Sequence, residues 1–363
     1  MVSGQGTAPV ERTGRVLRGG GPEAGELRST GRLYYISCNR RSWRARPGDT
    51  ARLVRGPAAG YLGAVRTVCV ERQRDESESM RDLIGAWARG SSLEERYERL
   101  VELIEGYGSV CVGYSGGVDS VFLAKVCVDV LGADRVLAVT GRSASYPAVQ
   151  WEMALECARR FGIPHEELET EEQLDPRYAA NPTNRCYYCK SELWSKLTAL
   201  AAERGYAVVA DGSNADDAAD FRPGARAGAE WGIRSPLAEA GLTKADIREL
   251  SRRHGLPTWD QPAAPCLASR IPYGLAVTPA RLQQVERAEN AIRALGFREF
   301  RVRHHGVAAR IEVAPSEQPR ALAMARELGR ELRSVGFERV LLDVEGYRRG
   351  ALNEGLPVLA ALP

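Results

Sequence analysis

Between residues 91 and 255, strand-like runs alternate with longer helical stretches, and no other feature limits the fold as much. The runs are "SVCVGY" (109–114), "RVLAVT" (135–140), "HEELET" (165–170) and "YAVVADGSN" (206–214). In "SSLEERYERLVELIEGYG" the residues Leu93, Tyr97, Leu100, Val101 and Ile104 fall on one helical face. Ser91 or Ser92 can cap that helix, Glu94 and Glu95 occupy its first turn, and Gly106 stands near its end. Further helices are expected over 118–131, 147–162, 190–205 and 243–255. Alternation of this kind specifies an α/β fold with a mainly parallel sheet. Such sheets bind ligands beyond the carboxyl ends of their strands. Three polar loops lie at such ends: 115–120, 141–146 and 211–214.

The pattern changes after the proline-rich loop "LPTWDQPAAPCLASRIPYG" (256–274). A helix capped by Thr278 is expected over 278–297, two strands around His305 and Gly306, a helix over 316–337 and a last strand within 338–348. The expected division is a nucleotide-binding domain over 80–274 and a small α+β domain over 275–363. Residues 1–79 read differently. They carry 14 Arg, no Lys and 8 acids, a local net charge of 14 − 8 = +6, with Gly, Pro and Arg around two candidate strands in 32–37 and 61–70. We expect a disordered basic extension, or sequence upstream of a native start at Met80, rather than a partner- or RNA-binding arm.

The whole chain of 363 residues has a formal charge of only +3, too little to argue for nucleic acid. No apolar stretch reaches the roughly 20 residues of a membrane span, and the N-terminus lacks a signal-peptide core. A cytoplasmic protein is expected.

The first polar loop, "SGGVDS", follows an apolar strand and opens an apolar helix. Backbone N–H groups of a glycine-rich turn converge on an anion, and the following helix adds its positive dipole end. Ser115 and Ser120 can donate to phosphate oxygens, and Gly116 and Gly117 permit close approach. Asp119 repels phosphate, so it fits as a ligand for Mg²⁺ or as a helix-start residue. No lysine follows the loop, so the GxxxxGK[ST] pattern is absent, as is GxGxxG.

Of eight cysteines, Cys111, Cys127 and Cys157 fall in apolar elements and read as core; Cys38 and Cys69 lie in the N-terminal segment. Cys186 and Cys189 form a C-x-x-C just before a helix. Alone, that spacing leaves open a redox pair, two zinc ligands, two cluster ligands or packing. Cys266 follows 77 residues after Cys189, in an irregular loop. Three thiolates with no fourth Cys or His nearby suit a [4Fe–4S] cluster with one open iron. A Cys₃His zinc site is the rival, and His254 is the histidine nearest in sequence to Cys266.

The loop "SGGVDS" in its strand–loop–helix setting resembles the PP-loop ATP pyrophosphatases, an adenine nucleotide α-hydrolase-like fold. That resemblance implies cleavage of ATP between the α and β phosphates, with AMP passed to a substrate oxygen. More specifically, "YSGGVDS", "NRCYYCK", "ADGSNADD", "DFRPG", "RSPL", "LPTWDQPAAPCLASRIPYG" and "LLDVEGYRRGALNE" together resemble the LarE family of ATP-dependent sulfur transferases, over residues 85–355. The resemblance implies adenylation of a carboxylate of pyridinium-3,5-biscarboxylic acid mononucleotide and its conversion to a thiocarboxylate, in nickel-pincer cofactor synthesis. Some members sacrifice a cysteine sulfur and keep dehydroalanine. Others hold a [4Fe–4S] cluster on three cysteines, and Cys186, Cys189 and Cys266 place this chain with them as ligands and catalytic residues. A sulfide donor and a homo-oligomer are implied as well. Ser115, Gly116, Gly117, Asp119, Ser120, Asp211 and Asn214 are the expected ATP and Mg²⁺ residues. Arg222, Arg226 and Arg234 are candidates for a substrate phosphate or carboxylate. Phe221 stands where tyrosine is expected, and residues 1–79 match nothing in the family.

Three rivals remain. An iron–sulfur tRNA thiolase needs a basic face that the chain after residue 80 lacks. An ammonia-using PP-loop synthetase leaves the three loop cysteines idle. A nucleotide sensor without catalysis is at odds with the intact loop.

Overall fold

A computed structural model describes residues 90–219 and 223–348, together with the backbone of four short strands nearer the N-terminus. The chain forms two units, Met1–Leu83 and Ile84–Pro363. In the first, β1 (Ala24–Ser29) pairs antiparallel with β2 (Arg32–Ser37), and β3 (Arg52–Leu53) with β4 (Val68–Cys69). The candidate strand in 32–37 is therefore formed, and of the one in 61–70 the described part, Val68–Cys69, is strand. The expectation of disorder for the rest of residues 1–79 falls outside the described residues.

The second unit opens with α1 (Leu93–Glu105). Ser92 caps it through the Glu95 N–H, and the Glu95 carboxylate returns to the Ser92 N–H at 2.7 Å, a reciprocal capping box. Then follow β5 (Val110–Gly113), α2 (Val118–Leu131), β6 (Val136–Arg142), α3 (Ala148–Arg160), β7 (His165–Glu169), α4 (Arg185–Arg204), β8 (Val208–Ala210), α5 (Pro223–Glu230) and α6 (Lys244–Arg253). The sheet order is β7-β6-β5-β8 and every pairing is parallel. The chain thus steps outward from β5 to β7, then crosses back to place β8 on the other flank of β5. That reversal leaves a crevice at the carboxyl ends of β5 and β8.

Side chains alternate across β5 as a strand requires. Val110 and Val112 join the core built with α1, α2 and α6, through Leu100, Ile104, Val121, Phe122 and Ile247. Cys111 faces the other way, with Leu137, Val139, Trp194 and Leu197. Cys111, Cys127 and Cys157 are fully buried, as expected of core cysteines. Gly113 ends the strand because a Cβ there would stand 2.8 Å from the Trp194 ring.

Beyond the proline-rich loop, α7 (Pro279–Ala294) begins at the Thr278 cap. The hairpin of β9 (Phe300–His305) and β10 (Ala308–Val313) is antiparallel, and β11 (Arg339–Leu342) joins β10 in parallel. The expected helix over 316–337 is interrupted. Gln318–Ala323 and α8 (Ala325–Ser334) meet at Met324, which ends one and caps the other; no Pro or Gly marks the break.

This region buries charge. Arg303 donates to Glu312 at 2.9 Å, with their side chains 7% and 1% exposed. Glu312→Ala leaves that guanidinium without its carboxylate, and urea unfolding should show a loss of about 3–5 kcal/mol. Glu312→Gln, which keeps one acceptor, should lose less.

Candidate active site

The chain leaves β5 and turns at Gly116, where φ is +67°. A Cβ on Gly116 would stand 2.7 Å from the Ala154 Cβ and 2.9 Å from the Gln150 carbonyl oxygen. Ser120 Oγ donates to the Gly117 carbonyl at 3.1 Å, accepts from the Ser115 N–H at 3.1 Å and meets Ser115 Oγ at 3.2 Å. The two ends of "SGGVDS" are therefore tied together. From outside, Gln150 Nε2 and Tyr146 Oη donate to the Ser115 carbonyl at 2.7 and 3.0 Å. The first-turn N–H groups of α2 have no acceptor within the helix and open at the carboxyl edge of the sheet with the positive end of its dipole.

The loop after β8 lies alongside. A Cβ on Gly212 would come 3.0 Å from the Ser120 backbone nitrogen. Asp211 shapes this turn, accepting from the Ser213 N–H at 3.1 Å and from the hydroxyls of Ser213 and Ser235 at 2.8 and 2.7 Å. Asn214 is buried, and its amide donates to Asp119 Oδ1 at 3.4 Å. The other Asp119 oxygen is ion-paired with Lys244 Nζ. Lys244 is the first residue of α6, and its N–H donates to Asp216 at 2.9 Å. Sequence reasoning missed Lys244 because its helix reads as an ordinary capped one. The available signal was rarity: only Lys125, Lys190, Lys196 and Lys244 are lysines among 50 basic residues.

The cysteines form a second focus. Cys186 and Cys189 lie in the first turns of α4, and Cys189 and Cys266 pack beside Tyr178, Leu267, Ala268 and Ile271. Burial raises the Cys186 thiol, with Cys266 adding to the rise and Arg185 opposing it. Burial holds Cys189 well above its usual value, followed by the Glu172 carboxylate and Cys266. Cys266 thus acts on both cysteines of the C-x-x-C, and it packs in the same cluster as Cys189. Arg185 is buried and donates to Asn181 Oδ1 at 2.5 Å and the Ala268 carbonyl at 2.8 Å.

The Cys266 loop lacks regular structure, and arginines that sequence reasoning did not single out supply its partners. Arg270 donates to the carbonyls of Pro265 and Cys266 at 2.5 and 3.1 Å and pairs with Glu289 at 2.8 Å. Arg303 donates to the Ser269 carbonyl at 2.9 Å, and Arg301 to that of Ala263. Glu172, also unflagged, is 2% exposed. Its Oε1 accepts from the hydroxyls of Ser143 and Ser145 at 2.6 and 2.7 Å, while its Oε2 is buried without a hydrogen-bond partner.

The segment after β6 joins the two foci. Tyr146 holds the phosphate-loop carbonyl of Ser115, and the Ser145 carbonyl accepts the Leu267 N–H, next to Cys266, at 2.8 Å. All three expected polar loops thus meet at one edge.

The remaining candidates fare differently. Arg222 lies outside the described residues. Arg226 is exposed, pairs with Glu230 at 2.8 Å and lies over the Tyr187 ring, between the two cysteines of the C-x-x-C. Arg234 pairs with Glu239 and bridges to β8. Tyr146 and Trp151, which follow β6, are half-buried, and Trp151 donates to Glu167 at 3.0 Å under the Arg142 guanidinium. His254 packs against Tyr97 and Phe122, on α1 and α2, and so belongs to a different part of the unit from the cysteines. Among the described residues no group of three or more His, Cys, Asp or Glu is arranged to hold a single metal ion.

A parallel sheet with a strand–"SGGVDS"–helix unit at its switch point defines the PP-loop class of ATP-utilising enzymes. The sequence profile described as NAD synthase matches residues 94–183, the part that carries this unit. The chain is 35% identical over 266 residues to the pyridinium-3,5-bisthiocarboxylic acid mononucleotide synthase of Lactiplantibacillus plantarum, covering 73% of this chain and 96% of that protein. It is 45% identical, over 73% of its length and 99% of the relative's, to an uncharacterised Synechocystis protein, slr1717. A fragment of argininosuccinate synthase from Haloarcula marismortui matches at 26%, over 42% of this chain and 39% of that enzyme. The chain belongs to the LarE family, that of the Lactiplantibacillus synthase, and is an ATP-utilising, sulfur-transferring enzyme.

The loop geometry makes an unequal prediction for its glycines. Gly116→Ala meets both a positive φ and a clash, and should cost roughly 1–3 kcal/mol in urea unfolding. Gly117→Ala, with φ −80° and no neighbour nearer than 3.6 Å, should cost less than about 1 kcal/mol.

Proposed function

We propose that the chain adenylates a carboxylate of pyridinium-3,5-biscarboxylic acid mononucleotide and replaces the activated oxygen by sulfur. The likeness to the Lactiplantibacillus synthase supports the product class. The observation that carries the reading is local: adjacent residues Tyr146 and Ser145 hold the phosphate loop and the Cys266 loop respectively. Activation and sulfur chemistry therefore share one edge of the sheet.

A carboxylate is a poor electrophile. Its oxygen attacks the α-phosphorus, the bond to the bridging oxygen breaks, and pyrophosphate leaves with that electron pair. Charge grows on the leaving group, where Gly116, Gly117 and the first turn of α2 offer N–H groups, and Ser115 and Ser120 hydroxyls. The acyl adenylate then takes a sulfide sulfur at its carbonyl carbon, and AMP departs. Asp119 is the carboxylate placed to take the Mg²⁺ that accompanies ATP, with Asn214 behind it and Asp211 setting the turn. Arg222, Arg226 and Arg234 remain the proposed anion partners of the substrate, the last two by exchanging Glu230 and Glu239 for it.

Cys186, Cys189 and Cys266 would hold a [4Fe–4S] cluster. The donor set is of the right kind: Cys266 acts on both thiols of the C-x-x-C, Arg185 beside Cys186 in sequence is buried, and among the described residues no histidine joins the cysteines in a group that could hold one zinc ion. A cubane takes its thiolates on separate irons, so its ligands stand farther apart than those of one ion. Such a cluster, held by these three cysteines, would supply the sulfide that replaces the activated oxygen. Arg185 offsets the charge of the deprotonated sulfurs, and Glu172 anchors Ser145 and with it the Cys266 loop.

Anaerobic purification followed by iron and sulfide analysis should give about four of each per chain, and each of Cys186→Ala, Cys189→Ala and Cys266→Ala should lower that content. Pyrophosphate exchange into ATP, dependent on the pyridinium mononucleotide, should survive in all three variants while thiocarboxylate formation stops. A colourless zinc protein refutes the cluster. A mass loss of about 34 Da after turnover shows a sacrificed cysteine instead.

A further inference from the structure

We propose that Asn181 is a positioning residue of the cysteine site. Its amide clamps the segment that leads into the C-x-x-C to the segment that leaves Cys266, and so sets these cysteines relative to each other. That use of the clamp rests on the sulfur-transfer reading above; the clamp itself is a matter of geometry.

Among the described residues Asn181 is the one non-glycine residue with a positive φ, +56°. It is fully buried, and each of its polar atoms is engaged. Its Nδ2 donates to the carbonyls of Ile271, Pro272 and Leu275 at 3.2, 2.8 and 2.8 Å. Its Oδ1 accepts from Arg185 at 2.5 Å. Its backbone carbonyl accepts the Gly274 N–H at 3.0 Å, and its own N–H goes to the Tyr178 carbonyl at 2.9 Å. The amide has one workable orientation, since turned over it would set its oxygen against three carbonyls and its nitrogen against a guanidinium. A left-handed backbone persists where its surroundings over-determine it, and this one is so held. Glycine would accept the φ but brings no amide. Aspartate tolerates the φ and can pair with Arg185, but it has nothing to donate to three carbonyls.

The clamp lies close to the cysteines along the chain. Arg185 directly precedes Cys186, and the Nη1 that meets Asn181 also donates to the carbonyl of Ala268, two residues past Cys266. The Val277 N–H adds a bond to the Ala179 carbonyl at 2.9 Å. Residues 179–185 and 268–277 are thereby stitched side by side, with the C-x-x-C at the end of one and Cys266 just before the start of the other. Arg303 and Glu289 hold the same loop toward β9 and α7; Asn181 and Arg185 hold it toward the head of α4. Ordering the Cys266 loop in advance lowers the entropy cost of bringing its sulfur to a group shared with Cys186 and Cys189.

Two variants of the full chain test this. Asn181→Gly keeps the φ and deletes the amide, and Asn181→Asp keeps the shape and deletes the donors. In amide hydrogen exchange on the metal-free chain, the stretch 267–277 should exchange roughly 10- to 30-fold faster in either variant, with 110–131 (β5 and α2) within about twofold of the parent. Thiocarboxylate formation should fall roughly 10-fold, and a chelator should strip iron from the loaded variants faster by a similar factor, while pyrophosphate exchange into ATP stays within about twofold. The proposal fails if exchange over 267–277 is unchanged, or if it rises no more than that over 110–131. It fails too if the loop loosens while iron retention and thiocarboxylate formation match the parent, for the clamp then serves the fold alone. Equal losses of pyrophosphate exchange and thiocarboxylate formation also overturn it. A parent without iron refutes the cluster instead, and the ratio of thiocarboxylate formation to pyrophosphate exchange still judges the clamp. A parent that forms no thiocarboxylate refutes the sulfur-transfer reading, and hydrogen exchange still shows whether Asn181 holds the loop.

Discussion

The return of β8 to the far flank of β5 is the constraint on which the site depends. Because the chain crosses from β7 back past β5, the loops at 115–120 and 211–214 become neighbours although their first positions are 211 − 115 = 96 residues apart. Their approach is close enough that a side chain on Gly212 would touch the backbone of Ser120 at 3.0 Å. Everything that surrounds Asp119 follows from this. Asn214 reaches it from the β8 loop, and Lys244 from the first turn of α6. A sheet without the reversal would have put these groups on separate strands, with no crevice between them.

The second half of the site is attached through one short segment. Residues 143–146 follow β6, a central strand, so their backbone is positioned by the sheet. Tyr146 braces the phosphate loop from one side. Ser145 gives its carbonyl to the loop of Cys266 and its hydroxyl to the buried Glu172. A displacement of the Cys266 loop is thereby resisted by the same backbone that shapes the phosphate cradle. An acyl adenylate hydrolyses in water, so an enzyme that forms one gains by keeping the next reactant within the same rigid frame.

How far this was legible in the sequence depends on the range of the interaction. Strands, helices and their order follow from periodicity and caps, which are local; "SSLEERYERL" carries its capping box within four residues. The parallel sheet and the common edge of three loops follow from alternation. Cys266 stood apart in the sequence because cysteine in an irregular loop has little packing use, and the fold brings it into one cluster with Cys189. Lys244, Glu172 and Arg185 were not visible. Each acts on residues far away in sequence: Lys244 pairs with a residue 125 positions earlier, and Arg185 donates to a carbonyl 83 positions later. A lysine after a threonine cap, or a glutamate in "EEQL", has the same appearance whether it serves a surface helix or a site. The break at Met324 had no local signal either, since neither proline nor glycine marks it.

The loop of Cys266 shows why arginine in particular builds this site. Residues 263–270 form only a short helical turn, so their carbonyl groups have few backbone donors. Prolines at 262 and 265 remove two of the loop's own N–H groups. Long guanidinium side chains fill the deficit from outside, with Arg270, Arg301 and Arg303 reaching the carbonyls of residues 263, 265, 266 and 269. Five donors in a rigid fork let Arg270 and Arg303 each serve a carboxylate and a carbonyl together. Glu289 and Glu312 compensate two of these charges. Arg301, by contrast, makes no ion pair among the described residues, and burial followed by the charge of Arg270 pulls its pKa below the usual guanidinium value. A lysine there would escape by releasing its proton; a guanidinium remains charged. The cysteine loop is therefore held by two arginines whose charge a carboxylate offsets and by one, Arg301, whose charge has no such partner among the described residues.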